Sequence, residues 1–257
     1  MLIDTHAHYE DAAFDEDREQ LIAELDADSI IAVNVGATKG SALTALAFSR
    51  KYSNIYAALG VHPDEVAGLT DDDMQEFLDL SREDKVVAVG EIGLDYHWDV
   101  NPREVQKEWF IKQIGLAHEA GLPVNIHSRD AAQDTLEIVR KENAGKNGGI
   151  IHCYSYSVEM AAEYLKLGFH FGIGGVVTYK NSKTIKEVVD YLPMDKIVLE
   201  TDCPYLSPAP HRGERNDSRN LVYVAAEIGA IKGLSPEEVM QITAENAKKV
   251  YAKLSRS

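Results

Sequence analysis

The chain has 257 residues, of which 45% are hydrophobic and 26% charged, a composition that excludes a largely disordered protein. Its formal net charge of −16 argues against tight binding to long nucleic-acid duplexes unless a bound divalent metal reverses the local potential. The only cysteines, Cys153 and Cys203, are too few for a disulfide framework, and the N-terminus lacks the features of a signal peptide. No apolar stretch approaches the roughly 18 residues that span a membrane, so we expect a cytoplasmic protein.

Short apolar segments alternate with amphipathic stretches along the whole chain. The predicted strands, in chain order, are residues 1–6 (MLIDTH), 29–36 (SIIAVNVG), 54–62 (NIYAALGVH), 85–95 (KVVAVGEIGLD), 123–130 (PVNIHSRD), 149–154 (GIIHCY), 169–175 (FHFGIGG) and 196–204 (KIVLETDCP). Intervening stretches such as REQLIAELDAD and VEMAAEYLKLG have apolar residues three and four apart, which predicts helices. Eight such units predict a single (β/α)8 TIM barrel over residues 1–257, with a doubly wound open sheet as the alternative.

Polar residues interrupt the predicted strands at their C-terminal ends, where barrel enzymes place their active sites. In chain order they are His6, His8, His62, Glu91, His127, His152 and Asp202. His6 and His8 are two residues apart, so both side chains can face the barrel interior. Because buried polar groups without partners are costly, this set indicates a metal centre. The number of ligands favours two divalent ions, with Glu91 as the candidate bridge.

Six segments of the sequence, in this order, resemble the signature segments of the TatD-type metal-dependent deoxyribonucleases of the amidohydrolase superfamily. They are IDTHAH, GVHP, GEIGLDYH, PVNIHSRDA, HCYS and ETDCPYLSP. The resemblance covers the full length of the chain. Glu91 stands where other amidohydrolases commonly carry a carboxylated lysine, which argues against the phosphotriesterase and urease subgroups.

The resemblance implies roles for individual residues. One metal ion is expected between His6, His8 and Asp202, and a second between His127 and His152, with Glu91 shared by both ions. His62 is expected close to the substrate, and Arg215 and Asn216 are expected to hold phosphate. The family is described as working with Mg, whereas imidazole-rich sites suit Mn or Zn, so the sequence does not distinguish among these three ions. RNDS and HCYSYS differ from the common family forms RNEP and HCFSGS, and Tyr156 is expected to narrow the cleft.

These residues predict hydrolysis by a metal-activated water, with Asp202 as the general base. Arg129 and Lys180 are candidate phosphate contacts. Alternatively, Arg129 pairs with Asp130 or Glu91, and Lys180 is only solvated. Tyr96 and Trp98 either stack an unpaired base or pack onto the rim. Cys153 and Cys203, next to predicted ligands, are expected to serve in packing and not in ligation.

The resemblance implies 3′ to 5′ exonuclease action on single-stranded DNA, and the acidic charge favours DNA ends or short single strands as substrates. One alternative is an ester or amide hydrolase of the same superfamily, such as an aminoacyl-tRNA deacylase or a lactonase. A more distant alternative is a non-catalytic binding scaffold. Convergence of Arg129, Lys180 and Arg215 on the rim is the feature that favours the phosphodiesterase.

Overall fold

In the computed structural model, which describes residues 1–98 and 100–256, strands and helices alternate along the chain. The strands are β1 (Leu2–Ala7), β2 (Ile30–Val35), β3 (Ile55–Ala58), β4 (Val86–Asp95), β5 (Val124–Arg129), β6 (Gly149–Ile151), β7 (His170–Ile173) and β8 (Ile197–Leu199). The α-helices are α1 (Arg18–Ala27), α2 (Lys39–Lys51), α3 (Asp71–Leu80), α4 (Arg103–Ala120), α5 (Ala132–Lys141), α6 (Val158–Lys166), α7 (Lys183–Tyr191), α8 (Leu221–Lys232) and α9 (Pro236–Val250). No helix in these described ranges is long and apolar enough to cross a lipid bilayer.

The eight strands pair in parallel and in chain order, from β1 to β8. The sheet closes on itself where Ala7 bridges Cys203 and the amide of Asp202 donates a hydrogen bond of 2.9 Å to the carbonyl oxygen of His6. The predicted (β/α)8 barrel is therefore confirmed, and the open sheet is wrong.

Side chains at the helix ends determine where several helices begin and stop. Thr38, Thr70 and Ser235 each form a capping box at the start of α2, α3 and α9. Gly121 and Gly233 end α4 and α8 in the left-handed conformation, with φ of 67° and 70°. These caps fix the helix boundaries and thereby the lengths of the loops at both ends of the barrel.

Three strands end three or more residues earlier than the sequence predicts, and these early ends leave predicted site residues in loops. β3 ends four residues before His62, which is the N-cap of a 3₁₀ turn over Pro63–Gly68. β6 ends before Cys153, whose φ is 44°, and β8 ends before Asp202, whose φ is 57°. Since left-handed backbone cannot continue a strand, the chain leaves the sheet at these points.

The N-terminal end of the barrel is closed by α9 and the residues that follow it. Ile3, Val33, Val87 and Val198 form a buried cluster with the C-terminal Tyr251. A larger cluster fills the space between the strands and the outer helices. Side chains therefore fill the N-terminal end of the barrel, and the C-terminal ends of the strands are left to form a cleft.

Candidate metal centre and cleft

The structure brings the six predicted metal ligands together at the C-terminal end of the barrel. Three of them belong to strands, namely His6 in β1, Glu91 in β4 and His127 in β5. The other three follow a strand end by one to three residues, namely His8, His152 and Asp202. Their nitrogen and oxygen atoms fall into groups close enough for each group to bind a metal ion.

The first group surrounds the Nε2 atoms of His6 and His8, which are 3.1 Å apart. Glu91 Oε2 lies 3.5 Å from His6 Nε2. Asp202 Oδ1 lies 3.4 Å from His8 Nε2 and 3.8 Å from His6 Nε2. Ligand atoms that bind one ion at about 2.0–2.2 Å lie at most about 4.4 Å apart, so the two imidazoles can share an ion with either carboxylate.

The second group surrounds the other oxygen of the same glutamate. Glu91 Oε1 lies 2.8 Å from His127 Nδ1 and 3.7 Å from His152 Nε2. Asp202 Oδ1 is 3.9 Å from His152 Nε2, so this carboxylate borders both groups. Because each oxygen of Glu91 faces a different pair of imidazoles, its carboxylate lies between the two groups as a bridge would.

A glycine two residues after Glu91 allows β4 and β5 to approach each other closely. Gly93 has a φ of 150°, and a Cβ atom at this position would lie 1.9 Å from the carbonyl oxygen of His127. Any side chain there would therefore push β4 away from β5 and separate Glu91 from His127.

Each of the four imidazoles has a second polar group on the side that faces away from the site. His6 Nδ1 lies 3.0 Å from Asn125 Oδ1, and His8 Nδ1 lies 3.3 Å from Glu10 Oε1. The other two contacts join His127 Nε2 to Asp95 Oδ2 and His152 Nδ1 to Glu200 Oε1, both at 3.1 Å. At the first three contacts the oxygen accepts the ring proton, so each of these neutral imidazoles presents a lone pair to the site. His152 and Glu200 form an ion-pair contact without hydrogen-bond geometry.

This arrangement of lone pairs fits a bound cation. The facing Nε2 atoms of His6 and His8 would repel each other if both were unprotonated with nothing between them. Glu91 is 5% exposed and has no lysine or arginine partner among the described residues. Metal ions would compensate the buried carboxylate and the facing lone pairs together, and the mixed nitrogen and oxygen donors suit Zn or Mn.

The pKa values of the site residues also show that it favours positive charge. Burial lowers the pKa of His127, but hydrogen bonds to Asp95 and Glu91 outweigh it and raise this pKa to about 9. The pKa of His152 likewise rises to about 9, because the carboxylate of Glu200 outweighs the burial. Burial raises the pKa of Glu91, whereas the surrounding imidazoles hold it well below its usual value.

His62 differs from the four clustered imidazoles. Its Nδ1 accepts a hydrogen bond of 3.2 Å from the backbone amide of Asp64, so its Nε2 carries the proton of the neutral ring. That atom lies 4.0 Å from Glu91 Oε1. Burial and the neighbouring His127 lower the pKa of His62 to about 4, so the ring is neutral at pH 7. His62 therefore offers the cleft a neutral hydrogen-bond donor.

The ligands lie at the bottom of a cleft with a volume of about 410 Å³. The loops after β1 and β3 line it with four carboxylates that belong to neither ligand group, namely Glu10, Asp11, Asp64 and Glu65. We call these four residues the acidic side. Trp98 and Tyr205 line the mouth and are 62% and 55% exposed. Among the described residues, no lysine or arginine lines this cleft.

Two of the predicted phosphate contacts are held away from the cleft. The two terminal guanidinium nitrogens of Arg215, Nη1 and Nη2, donate to the carboxylate of Asp17, at 2.7 and 2.6 Å. Asn216 is fully buried, and its side-chain nitrogen donates to the carbonyl oxygens of Thr201 and Tyr205. In this arrangement both residues stabilise the loop after β8, and neither is free to bind phosphate.

The other two predicted contacts are exposed at the same end of the barrel. The guanidinium carbon of Arg129 lies 5.3 Å from the ring centre of Trp98, beside the cleft. Within the part of the chain that the structure describes, Arg129 forms no ion pair with Asp130 or Glu91. Lys180 lies in a separate groove between the loops after β7 and β8.

The aromatic and cysteine predictions can be placed as well. Tyr96 donates to Asp134 and packs at the rim, whereas Trp98 is exposed at the cleft mouth. Tyr156 contacts Ser128 and does not line the cleft.

Two further residues, Cys153 and Cys203, have thiol pKa values that burial raises well above the usual range, so both thiols are protonated. A protonated thiol is a poor metal ligand.

Four residues that contact the imidazoles are absent from the predicted site, although the sequence contains a signal for each of them. Glu10 follows His8 by two residues, and Asn125 and Glu200 precede His127 and Asp202 by two. Residues two apart in an extended segment project to the same side, so polar residues at this spacing from a ligand are candidates. Asp95 is four residues after Glu91 in β4, where the same periodicity applies.

Comparisons with known proteins identify relatives of this chain. A family model described as TatD related DNase matches residues 3–252. The chain is 44% identical over 252 residues to the metal-dependent hydrolase YabD of Bacillus subtilis, covering 98% of this chain and 99% of that protein. It is 34% identical over 258 residues to the metal-dependent hydrolase YcfH of Escherichia coli, with 98% and 96% covered. The description of both relatives names neither a substrate nor a metal.

The fold is also similar to a solved structure. The crystal structure of YjjV, a TatD homolog from Escherichia coli, superposes with a TM-score of 0.90 at 28% sequence identity. The superposition covers 98% of each chain, so the similarity includes every strand of the barrel.

Proposed function

Because this chain belongs to the TatD-related DNase family and is a metal-dependent hydrolase, we propose that it removes nucleotides from the 3′ end of single-stranded DNA. The observation that carries the proposal is the position of Glu91, whose two oxygens face two separate groups of imidazoles. Two divalent ions suit this arrangement, and such pairs are a common solution for phosphodiester hydrolysis. The 3′ to 5′ polarity is carried over from the family resemblance.

We place the reaction in the cytoplasm, since both cysteines are unpaired.

The residues of the cleft have separate roles in this proposal. Divalent ions, when bound, supply Lewis acidity that lowers the pKa of water and offsets charge on the phosphoryl oxygens. Asp202 is the proposed general base, and its side chain is 20% exposed. Burial raises its pKa, but the hydrogen bond from His8 and the nearby imidazoles lower it overall, so the carboxylate is ionised and can accept a proton. His62 donates its Nε2 proton towards a phosphoryl oxygen.

The charge around the cleft favours a strand that ends there over one that passes through. The acidic side repels phosphates that would continue beyond the ligands on the β1 and β3 side. The exposed rings of Trp98 and Tyr205 offer surfaces on which terminal bases can stack. Arg129 lies beside Trp98 and supplies a cation next to this stacking surface. These features support an end-directed enzyme with a single-stranded substrate.

One observation favours a second function, the hydrolysis of an ester or amide. The predicted cations do not converge, since Arg215 is paired with Asp17, Lys180 lies in another groove, and no lysine or arginine of the described chain lines the cleft. A neutral or weakly charged substrate would meet less repulsion from the acidic side than a phosphodiester would.

The proposed function is tested by following 5′-labelled single-stranded DNA with Mn or Mg, with chelator, and with Asp202→Asn. We expect a metal-dependent ladder that shortens from the 3′ end. Asp202→Asn should lower turnover by about 10²-fold or more, the usual contribution of a general base. Asp72→Asn, an exposed substitution on α3, is the matched control and should retain full activity.

Two results would contradict the proposal. Cleavage by Asp202→Asn at the wild-type rate would remove the assigned base. Wild-type protein that carries metal and leaves DNA intact, while hydrolysing aminoacyl esters or lactones, would establish the second function instead.

A further inference from the structure

A second groove lies beside the cleft, at the same end of the barrel. It is formed by the loops after β7 and β8 and has a volume of about 630 Å³. Its lining includes Thr178, Tyr179, Lys180, Asn181, Ala209 and Arg212. We call it the Lys180 groove. None of the residues assigned to the metal centre contributes to its lining.

The charge of the Lys180 groove is opposite to that of the cleft. Lys180 and Arg212 are both exposed there, and no aspartate or glutamate is found among the described lining residues. The guanidinium carbon of Arg212 lies 4.5 Å from the ring centre of Tyr179, which holds this cation over the groove. In a chain with 42 acidic and 26 basic residues, two such cations without a carboxylate between them form a site that attracts anions.

Hydrogen bonds and a close backbone contact join the two loops that form the groove. The backbone amide of Ala209 donates to Thr178 Oγ1 at 2.8 Å, and Tyr179 Oη donates to the carbonyl oxygen of Ser207 at 2.9 Å. A Cβ atom at Gly175 would lie 2.0 Å from the carbonyl oxygen of Leu206, so the two loops are in direct contact. A ligand therefore meets a fixed surface and does not have to order the loops first.

The Lys180 groove is close enough to the cleft for one strand to occupy both. Tyr205 lines the cleft and Ala209 lines the groove, and these two residues are four positions apart in sequence. Their Cα atoms are therefore at most about 14 Å apart, which is the reach of four extended residues. A stacked DNA strand rises about 3.4 Å per nucleotide, so about four nucleotides or fewer span this distance.

We propose that the Lys180 groove binds the sugar-phosphate backbone of a single DNA strand on the 5′ side of the bond that is hydrolysed. This inference rests on the proposed function and adds a phosphate site that the cleft itself lacks. Lys180 and Arg212 contact backbone phosphates, and the strand leaves the cleft past the loops after β7 and β8. Loops after the seventh and eighth strands of a barrel frequently bind phosphate, and the groove lies between those loops.

The test compares a groove variant, Lys180→Ala with Arg212→Ala, with a control variant, Lys166→Ala with Arg82→Ala. The control removes the same charge from two exposed side chains at the opposite end of the barrel. Substrates are a single-stranded 12-mer and a thymidine dinucleotide, both with Mn. The groove variant should raise KM for the 12-mer about tenfold or more and leave cleavage of the dinucleotide unchanged, because the single phosphate of the dinucleotide is the one hydrolysed in the cleft and none is left for the groove.

Binding supplies a readout that does not need catalysis. Fluorescence anisotropy of a labelled 12-mer is measured in the Asp202→Asn background with Mn, at several salt concentrations. The slope of the logarithm of affinity against the logarithm of salt should fall by about 1.4 in the groove variant, since each phosphate contact to a single strand contributes about 0.7. The control variant should keep the original slope.

Three results would overturn the inference: no more loss of 12-mer binding in the groove variant than in the control, an equal loss for the dinucleotide, or no binding of the 12-mer by the parent protein. A protein that binds the 12-mer through the groove and yet cleaves no DNA would refute the nuclease function while sustaining the groove. The two proposals can therefore fail separately.

Discussion

At the scale of single residues, the metal centre depends on polar groups that do not touch the reacting atoms. Asn125, Glu10, Asp95 and Glu200 each hold one imidazole by the nitrogen that faces away from the site. Glu200 is fully buried, and its Oε1 also accepts a hydrogen bond of 2.5 Å from the amide of Cys153. The orientation of the ligands is therefore built into the chain before any ion binds.

Glu200→Gln should lower the affinity for Mn by about 10- to 100-fold, the usual effect of removing such a partner. The amide keeps the shape of the side chain and the oxygen that the Cys153 amide needs, so mainly the charge next to His152 is lost. Isothermal titration calorimetry measures the affinity, with the exposed Glu187→Gln on α7 as the control. Equal dissociation constants for wild type and Glu200→Gln would show that this carboxylate does not support His152.

His170 should make the fold sensitive to acid. It begins β7 and is 9% exposed, and burial together with the nearby Lys196 lowers its pKa to about 4. Between pH 4 and the unfolded value of about 6.5, the unfolded chain binds more protons than the folded chain. The stabilisation is therefore complete above about pH 6.5 and is lost as the pH falls.

The size of this loss is about 1.4 kcal/mol per pH unit, or about 2 kcal/mol between pH 6.5 and pH 5. Urea unfolding at the two pH values should show this extra loss in the wild type and not in His170→Gln. Other histidines titrate in both proteins and cancel in the difference. Parallel pH dependences of the two proteins would rule out His170 as the source.

At the scale of elements, α9 and the turn after it act as the floor of the barrel. Tyr251 is fully buried, and its hydroxyl accepts a hydrogen bond of 3.0 Å from Asn125, the residue that also contacts His6. The C-terminal helix is thus connected to the metal centre through one side chain. This connection joins residues more than 120 positions apart, so no local sequence pattern contains it.

Tyr251→Ala should reduce the free energy of unfolding by about 3–5 kcal/mol, because it leaves a cavity under the barrel. Tyr251→Phe removes only the hydrogen bond and should cost about 1 kcal/mol. For a chain of this size about 1 kcal/mol lowers Tm by about 2–4 °C, so thermal unfolding followed by circular dichroism separates the two variants. Similar Tm values for Tyr251→Ala and wild type would mean that α9 does not support the barrel.

The elements also show what the sequence could and could not predict. All eight strands and their parallel order follow from apolar segments that alternate with amphipathic ones, and the structure confirms them. The ends of β3, β6 and β8 were predicted too late, since apolar residues continue past the last paired position and the left-handed backbone at Cys153 and Asp202 has no apolar signature. The six clustered ligands were identifiable because each is a polar residue within an apolar strand or up to three residues after one.

The roles expected for Arg215 and Asn216 could not be judged from the sequence. The motif that contains them is visible there, but the residues that form hydrogen bonds with their side chains are not. Asp17 lies 198 residues from Arg215, and the carbonyl oxygens that accept from Asn216 belong to a loop whose path the sequence does not specify. Long-range pairing therefore decides whether a motif residue is free to bind a ligand.

At the scale of the whole molecule, metal binding and folding should be coupled. The ligands come from five strands or the loops that follow them, so a bound ion links distant parts of the barrel. Mn at about 100 times its dissociation constant should add about 2.7 kcal/mol to the free energy of unfolding, and chelator should remove this gain.

The coupling is measured by thermal unfolding with Mn and with chelator, for wild type and for Glu91→Gln. The gain in Tm should be much smaller in Glu91→Gln, because the carboxylate between the two ligand groups has lost its charge. An equal gain in both proteins would place the stabilising ion elsewhere.

The four carboxylates of the acidic side bear on how the proposed reaction ends. A phosphodiester in the cleft carries one negative charge, whereas the phosphomonoester released by hydrolysis carries about −1.5 to −2 at pH 7. Glu10, Asp11, Asp64 and Glu65 therefore repel the released nucleotide more strongly than the bond from which it came. The acidic side therefore opposes the attraction that bound ions exert on the product, so removing these carboxylates should strengthen inhibition by the accumulating nucleotide.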